Sequence, residues 1–180
     1  MYKPIPFFQF QSGSNPLIVL GGLRKKHNLK GEKMKVLITY YSWSGNTKRL
    51  ADEIAREIPA NTEIEIKVPA GTFSEDMYGT FDISKKQIAE NNYPEINKMD
   101  FDPNDYDLIL VGSPVWGGKP ATPIYTFLNQ IQDFKGEVAS FYTDAGTAGD
   151  YANVFKKWAK DLNVVKVFNR VSDVSDLIRK

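Results

Sequence analysis

The sequence predicts a doubly wound α/β fold, a three-layer sandwich in which a five-stranded parallel sheet of order 2-1-3-4-5 carries helices on both faces. Two nearly continuous apolar runs, Lys35 to Tyr41 (KVLITYY) and Asp107 to Ser113 (DLILVGS), suit strands buried on both sides. Amphipathic helical stripes alternate with the strand-like runs, and each right-handed crossover sets its helix on a face of the sheet. Ile64, Ile66 and Val68 alternate with Glu63, Glu65 and Lys67. That is the pattern of a half-exposed edge strand, which agrees with strand 2 standing at the end of the order.

The elements follow one another along the chain. After the first strand and the loop Ser42 to Asn46, a helix carries Leu50, Ile54, Ala55 and Ile58 on one face and stops at Pro59. Residues 70 to 105 are polar, with a short helix around Ile83 to Asn91. After the third strand, Thr122 as N-cap and Pro123 at the first helical position open a helix whose Ile124, Phe127, Leu128 and Ile131 share a face. Val138 to Tyr142 forms the fourth strand. A helix with Val154, Phe155, Trp158, Ala159 and Leu162 inward precedes the fifth strand, Val164 to Phe168.

The chain has 180 residues, the size of one ordinary domain. Its net charge of +1 shows no bias toward nucleic acid or anionic membrane. Residues 1 to 33 hold six of the 23 basic residues and one of the 22 acidic ones, a net +5, which leaves −4 for residues 34 to 180. With Pro4, Pro6, Pro16 and no sustained period, residues 1 to 33 read as a poorly ordered basic leader, and residues 34 to 180 as the folded domain. Lys30-Gly31-Glu32-Lys33 is encodable by purines alone, like a translated ribosome-binding site, so one reading makes Met34 the natural start and the other makes residues 1 to 33 a genuine flexible tail. The apolar stretch Leu17 to Leu23 is too short to span a bilayer and is followed by Arg24-Lys25-Lys26 rather than a cleavage site. A cytoplasmic protein with no membrane partner is expected.

There is no cysteine, and the single histidine, His27, lies in the leader. Thiol catalysis, disulfides, Ser-His-Asp chemistry and metal sites built on His or Cys are therefore excluded from residues 34 to 180. Redox chemistry there requires a bound cofactor.

In this fold a ligand belongs at the carboxyl ends of strands 1 and 3, where the winding reverses. The loop after strand 1 is Ser42-Trp43-Ser44-Gly45-Asn46-Thr47. Its hydroxyls, the unpaired N–H groups of the following helix and the helix dipole suit a phosphate, and Gly45 permits close backbone approach. The loop lacks both GxxxxGK[ST] and GxGxxG, so a monophosphate held mainly by neutral donors fits better than a nucleoside triphosphate. Plain helix capping by Ser, Asn and Thr is the structural alternative. Lys48 and Arg49, just inside the helix, are expected to point to solvent, with at most a weak long-range attraction for the phosphate.

These residues resemble the flavodoxin family, carriers of FMN with the same flavodoxin-like fold. Ser42, Ser44, Gly45 and Thr47 match its phosphate-holding pattern [ST]-x-[ST]-G-x-T, Asn46 matches its frequent Gly-Asn-Thr form, and the likeness spans residues 34 to 180. The resemblance implies that Ser113, Pro114, Val115, Trp116 and Gly117 lie along the isoalloxazine ring. Trp116 would stack on it, and the Trp116-Gly117 peptide would turn its carbonyl to the flavin N5–H on reduction, which a glycine tolerates. It also implies that Thr143, Asp144, Ala145 and Gly146 approach the pyrimidine edge, with Asp150 and Asp144 adding negative charge and Tyr151, or else Tyr142, covering the second face. For Asp150 a helix-capping role is the alternative.

The function so implied is electron transfer, one or two electrons at a time, between redox protein partners, by a monomer. The alternative is an FMN-dependent NAD(P)H oxidoreductase acting on quinones or free flavin, as a dimer. The mild −4 charge and Lys119 beside the flavin loop depart from the strongly acidic character of many flavodoxins.

Overall fold

Five parallel strands form the sheet, and their pairing follows from their composition. In the computed structural model, residues 33–179 are described. Strand β1 (Val36–Tyr40) is buried at every position and lies between β2 (Asn61–Glu65) and β3 (Leu108–Trp116). β5 (Glu137–Thr143) follows β3, and β6 (Asn163–Phe168) closes the other edge. The spatial order is β2-β1-β3-β5-β6. β4 (Lys119–Pro120) is a two-residue strand that folds back antiparallel on the end of β3. Without it the five parallel strands stand in the expected order 2-1-3-4-5.

The pleat sends alternate residues to two cores. Leu37, Tyr41, Ile109, Val111 and Val138 pack under α3 (Pro123–Gln130) and α4 (Tyr151–Ala159), with Phe127, Phe155 and Trp158 between the layers. Val36, Ile38, Tyr40, Leu108, Leu110 and Phe141 pack under α1 (Asn46–Glu57) and the C-terminal turns, through Ala51, Ile54, Val174 and Leu177. Every large side chain in these two groups is nearly or fully buried, which is where the hydrophobic effect stabilises the sandwich.

Three local expectations change. The edge strand ends at Glu65, though Ile66 N–H still donates to the Tyr40 carbonyl at 2.7 Å. Asn97 N–H then reaches the Lys67 carbonyl at 2.7 Å, so the chain after the second helix covers part of this edge. That helix, α2, spans Met77–Ala89 rather than starting near Ile83, and Asp76 caps it by accepting Gly79 N–H at 2.8 Å. Its first five residues include exposed Met77, Tyr78 and Phe81, so no amphipathic stripe marks its beginning. Thr122 does not cap α3; its hydroxyl donates to Gln87 Oε1 at 2.6 Å and its backbone is already helical.

The polar insertion is thereby tied to the α3 layer. Tyr93 stacks on Tyr125 with centroids 3.6 Å apart, and Thr126 Oγ1 donates to the Pro94 carbonyl at 2.6 Å. No helix among the described residues is long and apolar enough to cross a membrane. The reading of residues 1–33 as a leader, and of Met34 as the start, rests on residues 1–32, which lie outside those described.

Candidate functional site

Parallel pairing brings the carboxyl ends of β1, β3 and β5 side by side. Tyr40 pairs with Gly112, and Pro114 with Thr143, so the loops that follow these strands line one cleft of about 580 Å³. Its walls include Trp43, Ser44, Asn46, Pro114, Val115, Trp116, Tyr142, Thr143, Asp144 and Ala145. A volume of this size is ordinary for a cofactor site.

One end of the cleft is polar. Gly45, at φ 85°, occupies the N-cap of α1 and offers no side-chain cap, so amide N–H groups of the first turn remain directed out of the helix. One of them is satisfied: Lys48 N–H donates to Ser42 Oγ at 3.2 Å. Ser42 Oγ thus takes up one first-turn donor, while Ser44 and Asn46 face the cleft. Thr47 is buried, with Oγ1 2.9 Å from Thr143 Oγ1.

The other part is aromatic. Trp116 is half-buried and meets the edges of Tyr41 and Phe73 at centroid distances of 5.6 and 4.9 Å, which fixes its indole from behind. Trp43 is fixed differently, by donating its indole N–H to the Ser74 carbonyl at 3.1 Å. Gly117 and Gly118, at φ 55° and 77°, make the tight turn between β3 and β4. This is the backbone shape a two-residue hairpin requires and that glycine alone adopts freely. Phe81 lies against Gly117, where an added Cβ would stand 2.4 Å from its ring. Trp116 and Gly117 also border a smaller groove of about 140 Å³ on the α2 side.

Several expected site residues stand elsewhere. Tyr151 does not cover a ligand: it is fully buried, with its hydroxyl 2.9 Å from Ser140 Oγ. Burial raises its phenol well above the ordinary range. Tyr142, its ring centroid 4.7 Å from that of Tyr151, lines the cleft instead. Ser113 is buried as well; its Oγ accepts Ala121 N–H at 2.9 Å and donates to the Pro114 carbonyl at 2.8 Å, so it shapes the loop from below. Gly146 bends back so that its N–H donates to Asp144 Oδ1 at 2.7 Å. Asp150 accepts from Asn153 Nδ2 at 2.7 Å and makes no side-chain cap to α4.

Asn169, which follows β6, was missed. Met77, from the first turn of α2, also lines the cleft, and so does Arg49, which was expected to point to solvent and to attract a phosphate only weakly at long range. Asn169 had a readable signal, since it is the residue just past the carboxyl end of a parallel strand.

A family model described as Flavodoxin matches residues 35–168. The chain belongs to the flavodoxin family. Among solved structures this flavodoxin is similar to a flavoprotein of Lactobacillus acidophilus NCFM in complex with FMN, at 49% identity over 82% of this chain and 99% of that one, with a TM-score of 0.78. The apo-form of the flavoprotein from that organism, solved by NMR, is 48% identical over 83% of this chain and 100% of that one, with a TM-score of 0.68. A Bacteroides eggerthii protein at 24% identity, covering 82% of this chain and 99% of that one, shares the fold with a TM-score of 0.68.

Proposed function

We propose that this flavodoxin binds FMN in the cleft above β1, β3 and β5 and carries electrons between redox protein partners. The observation that carries this reading is the division of a single cleft into a hydroxyl-and-amide end at the start of α1 and an aromatic end built by Trp43, Trp116 and Tyr142. A flat ring system joined to a phosphate has the same division. The L. acidophilus relative with FMN, 49% identical over nearly its whole length, supports the choice of FMN over other such molecules.

FMN, when bound, supplies the reversible uptake of one or two electrons. The chain supplies position and field. Ser44, Asn46 and the first-turn amides of α1 would hold the phosphate by hydrogen bonds at the positive end of the helix dipole, with the hydroxyl of buried Thr47 behind them. Trp116 and Tyr142 exclude water from the ring. The Trp116-Gly117 peptide sits in a turn of two glycines, where reorienting the carbonyl is sterically cheap. Asp144 places a carboxylate at the cleft and disfavours added negative charge there.

The transfer role draws support from the rim. Met77, Tyr78 and Phe81 of α2 are 61%, 76% and 42% exposed, and Met77 borders the cleft itself. Apolar side chains left in water beside a redox site suit brief contact with another protein.

The test is to purify the protein, add FMN, desalt and record the visible spectrum. Retained yellow flavin that is reduced by a separate reductase, without turnover of NADPH and a quinone, supports the carrier. Rapid NADPH-dependent quinone reduction by the protein alone supports the oxidoreductase instead. A colourless eluate overturns the FMN reading.

A further inference from the structure

We propose that Arg49 makes this cleft prefer a phosphorylated flavin, by adding a cation to an anion site otherwise composed of neutral donors. The inference rests on the FMN reading above and names a residue outside the phosphate pattern. Of the charged side chains among the described residues lining the cleft, Arg49 is the cation and Asp144 the anion. Its neighbour Lys48 is occupied by Asp52, whose carboxylate lies 2.7 Å from Nζ. Arg49 has no carboxylate within ion-pair distance among the described residues.

Its connection to the loop is specific. Arg49 Nη2 donates to Asn46 Oδ1 at 3.2 Å, and Asn46 Nδ2 donates to Ser44 Oγ at 3.1 Å. The Asn46 amide thus uses both ends, one to hold the guanidinium over the start of α1 and one to fill an acceptor site of the Ser44 hydroxyl. The Ser44 proton stays available for an anion, and so do the other guanidinium donors. Asn169, beyond β6, lines the same cleft and adds an uncharged amide. A phosphate placed at the α1 amides therefore meets a positioned guanidinium without any carboxylate having to be displaced from it.

The preference is testable by comparing two ligands that differ only in the phosphate. FMN and riboflavin are titrated by flavin fluorescence into the full-length wild type, Arg49→Gln and Arg49→Lys. Because Arg49 is exposed, its contribution is moderate: Arg49→Gln weakens FMN about five- to twentyfold and leaves riboflavin unchanged. Arg49→Lys recovers part of the loss, since it restores charge without the planar fork. Raising sodium chloride from about 50 to about 500 mM weakens FMN binding to the wild type more than to Arg49→Gln. Equal loss of both ligands in Arg49→Gln, or no change in their ratio, overturns the role of Arg49 while FMN binding stands. Failure of the wild type to bind FMN at all overturns the FMN reading and this inference together.

Discussion

Thr47 Oγ1 lies 2.9 Å from Thr143 Oγ1, and this contact joins the first turn of α1 to the end of β5. The two residues are 96 positions apart in sequence and stand next to the loops after β1 and β5, on either side of the one after β3. The pair sets how closely the anion-binding turn approaches the segment carrying Asp144 and Ala145.

Thr47→Val keeps the shape of the side chain and removes the hydroxyl. It is expected to lower folding stability by about 1 kcal/mol, because the partner Thr143 is only partly buried and recovers water. Combined with Ser44→Ala it is expected to weaken FMN about a hundredfold, through lost charge-assisted bonds to phosphate, while riboflavin binding changes little. Thr143→Val separates the two effects: it has the stability cost of the first variant with a smaller loss of FMN. Fluorescence titration with both ligands and urea unfolding measure the two quantities.

Trp116→Ala addresses the other end of the cleft. It removes the aromatic surface and with it the edge contacts to Tyr41 and Phe73. FMN and riboflavin are expected to weaken alike, by about 0.5–1.5 kcal/mol beyond the loss of simple burial. Trp116→Phe is expected to retain most of the affinity. An FMN-selective loss in Trp116→Ala would mean that the indole acts on the phosphate end rather than on the ring.

The fold was legible because its signals are strong physical ones. KVLITYY and DLILVGS have no polar face, so they had to lie in the middle of a parallel sheet, and Glu63 and Glu65 had to lie at an edge. The placement of the loops after β1, β3 and β5 followed from topology. What did not follow was the direction of individual side chains. Tyr151 and Tyr142 are both aromatic residues near the same loop, and only the packing of α4 on Ser140 decides which is core and which lines the cleft. Arg49 and Lys48 are adjacent cations on one helix, and the 100° turn between them sends one to Asp52 and the other to the cleft. The exposed start of α2 was unreadable for a related reason, since a helix whose apolar side chains face water has no buried stripe to count.

Asp144→Asn tests the electrostatic setting of the site. Asn retains a side-chain oxygen to accept Gly146 N–H, so the turn survives while the charge is lost. Removing a carboxylate beside the cleft makes added negative charge on a bound flavin less costly, and the midpoint potential is expected to rise by tens of millivolts. The shift should shrink in concentrated salt, as Asp144 is exposed. Spectroelectrochemical titration of both proteins reads it. An unchanged or lowered potential would mean that Asp144 does not act on the ring through its charge.

Tyr151→Phe tests whether the buried phenol stabilises the scaffold, and its pH dependence has a definite sign. The Tyr151 hydroxyl lies 2.9 Å from Ser140 Oγ, which also stands 3.1 Å from the Val111 carbonyl. Deleting the phenol oxygen leaves buried Ser140 without one of its two hydrogen-bond partners and is expected to cost about 1–2 kcal/mol at pH 7. Burial raises the folded-state pKa of Tyr151 above the value of about 10 that it regains on unfolding. Its contribution is therefore intact below pH 10, and above that the wild type loses up to about 1.4 kcal/mol per pH unit as the unfolded chain releases the proton. The variant has no such loss, and other tyrosines affect both proteins equally. Urea unfolding at pH 7 and near pH 11 should show the stability gap close or reverse at the higher pH. A gap that stays constant would place the Tyr151 hydroxyl in contact with water.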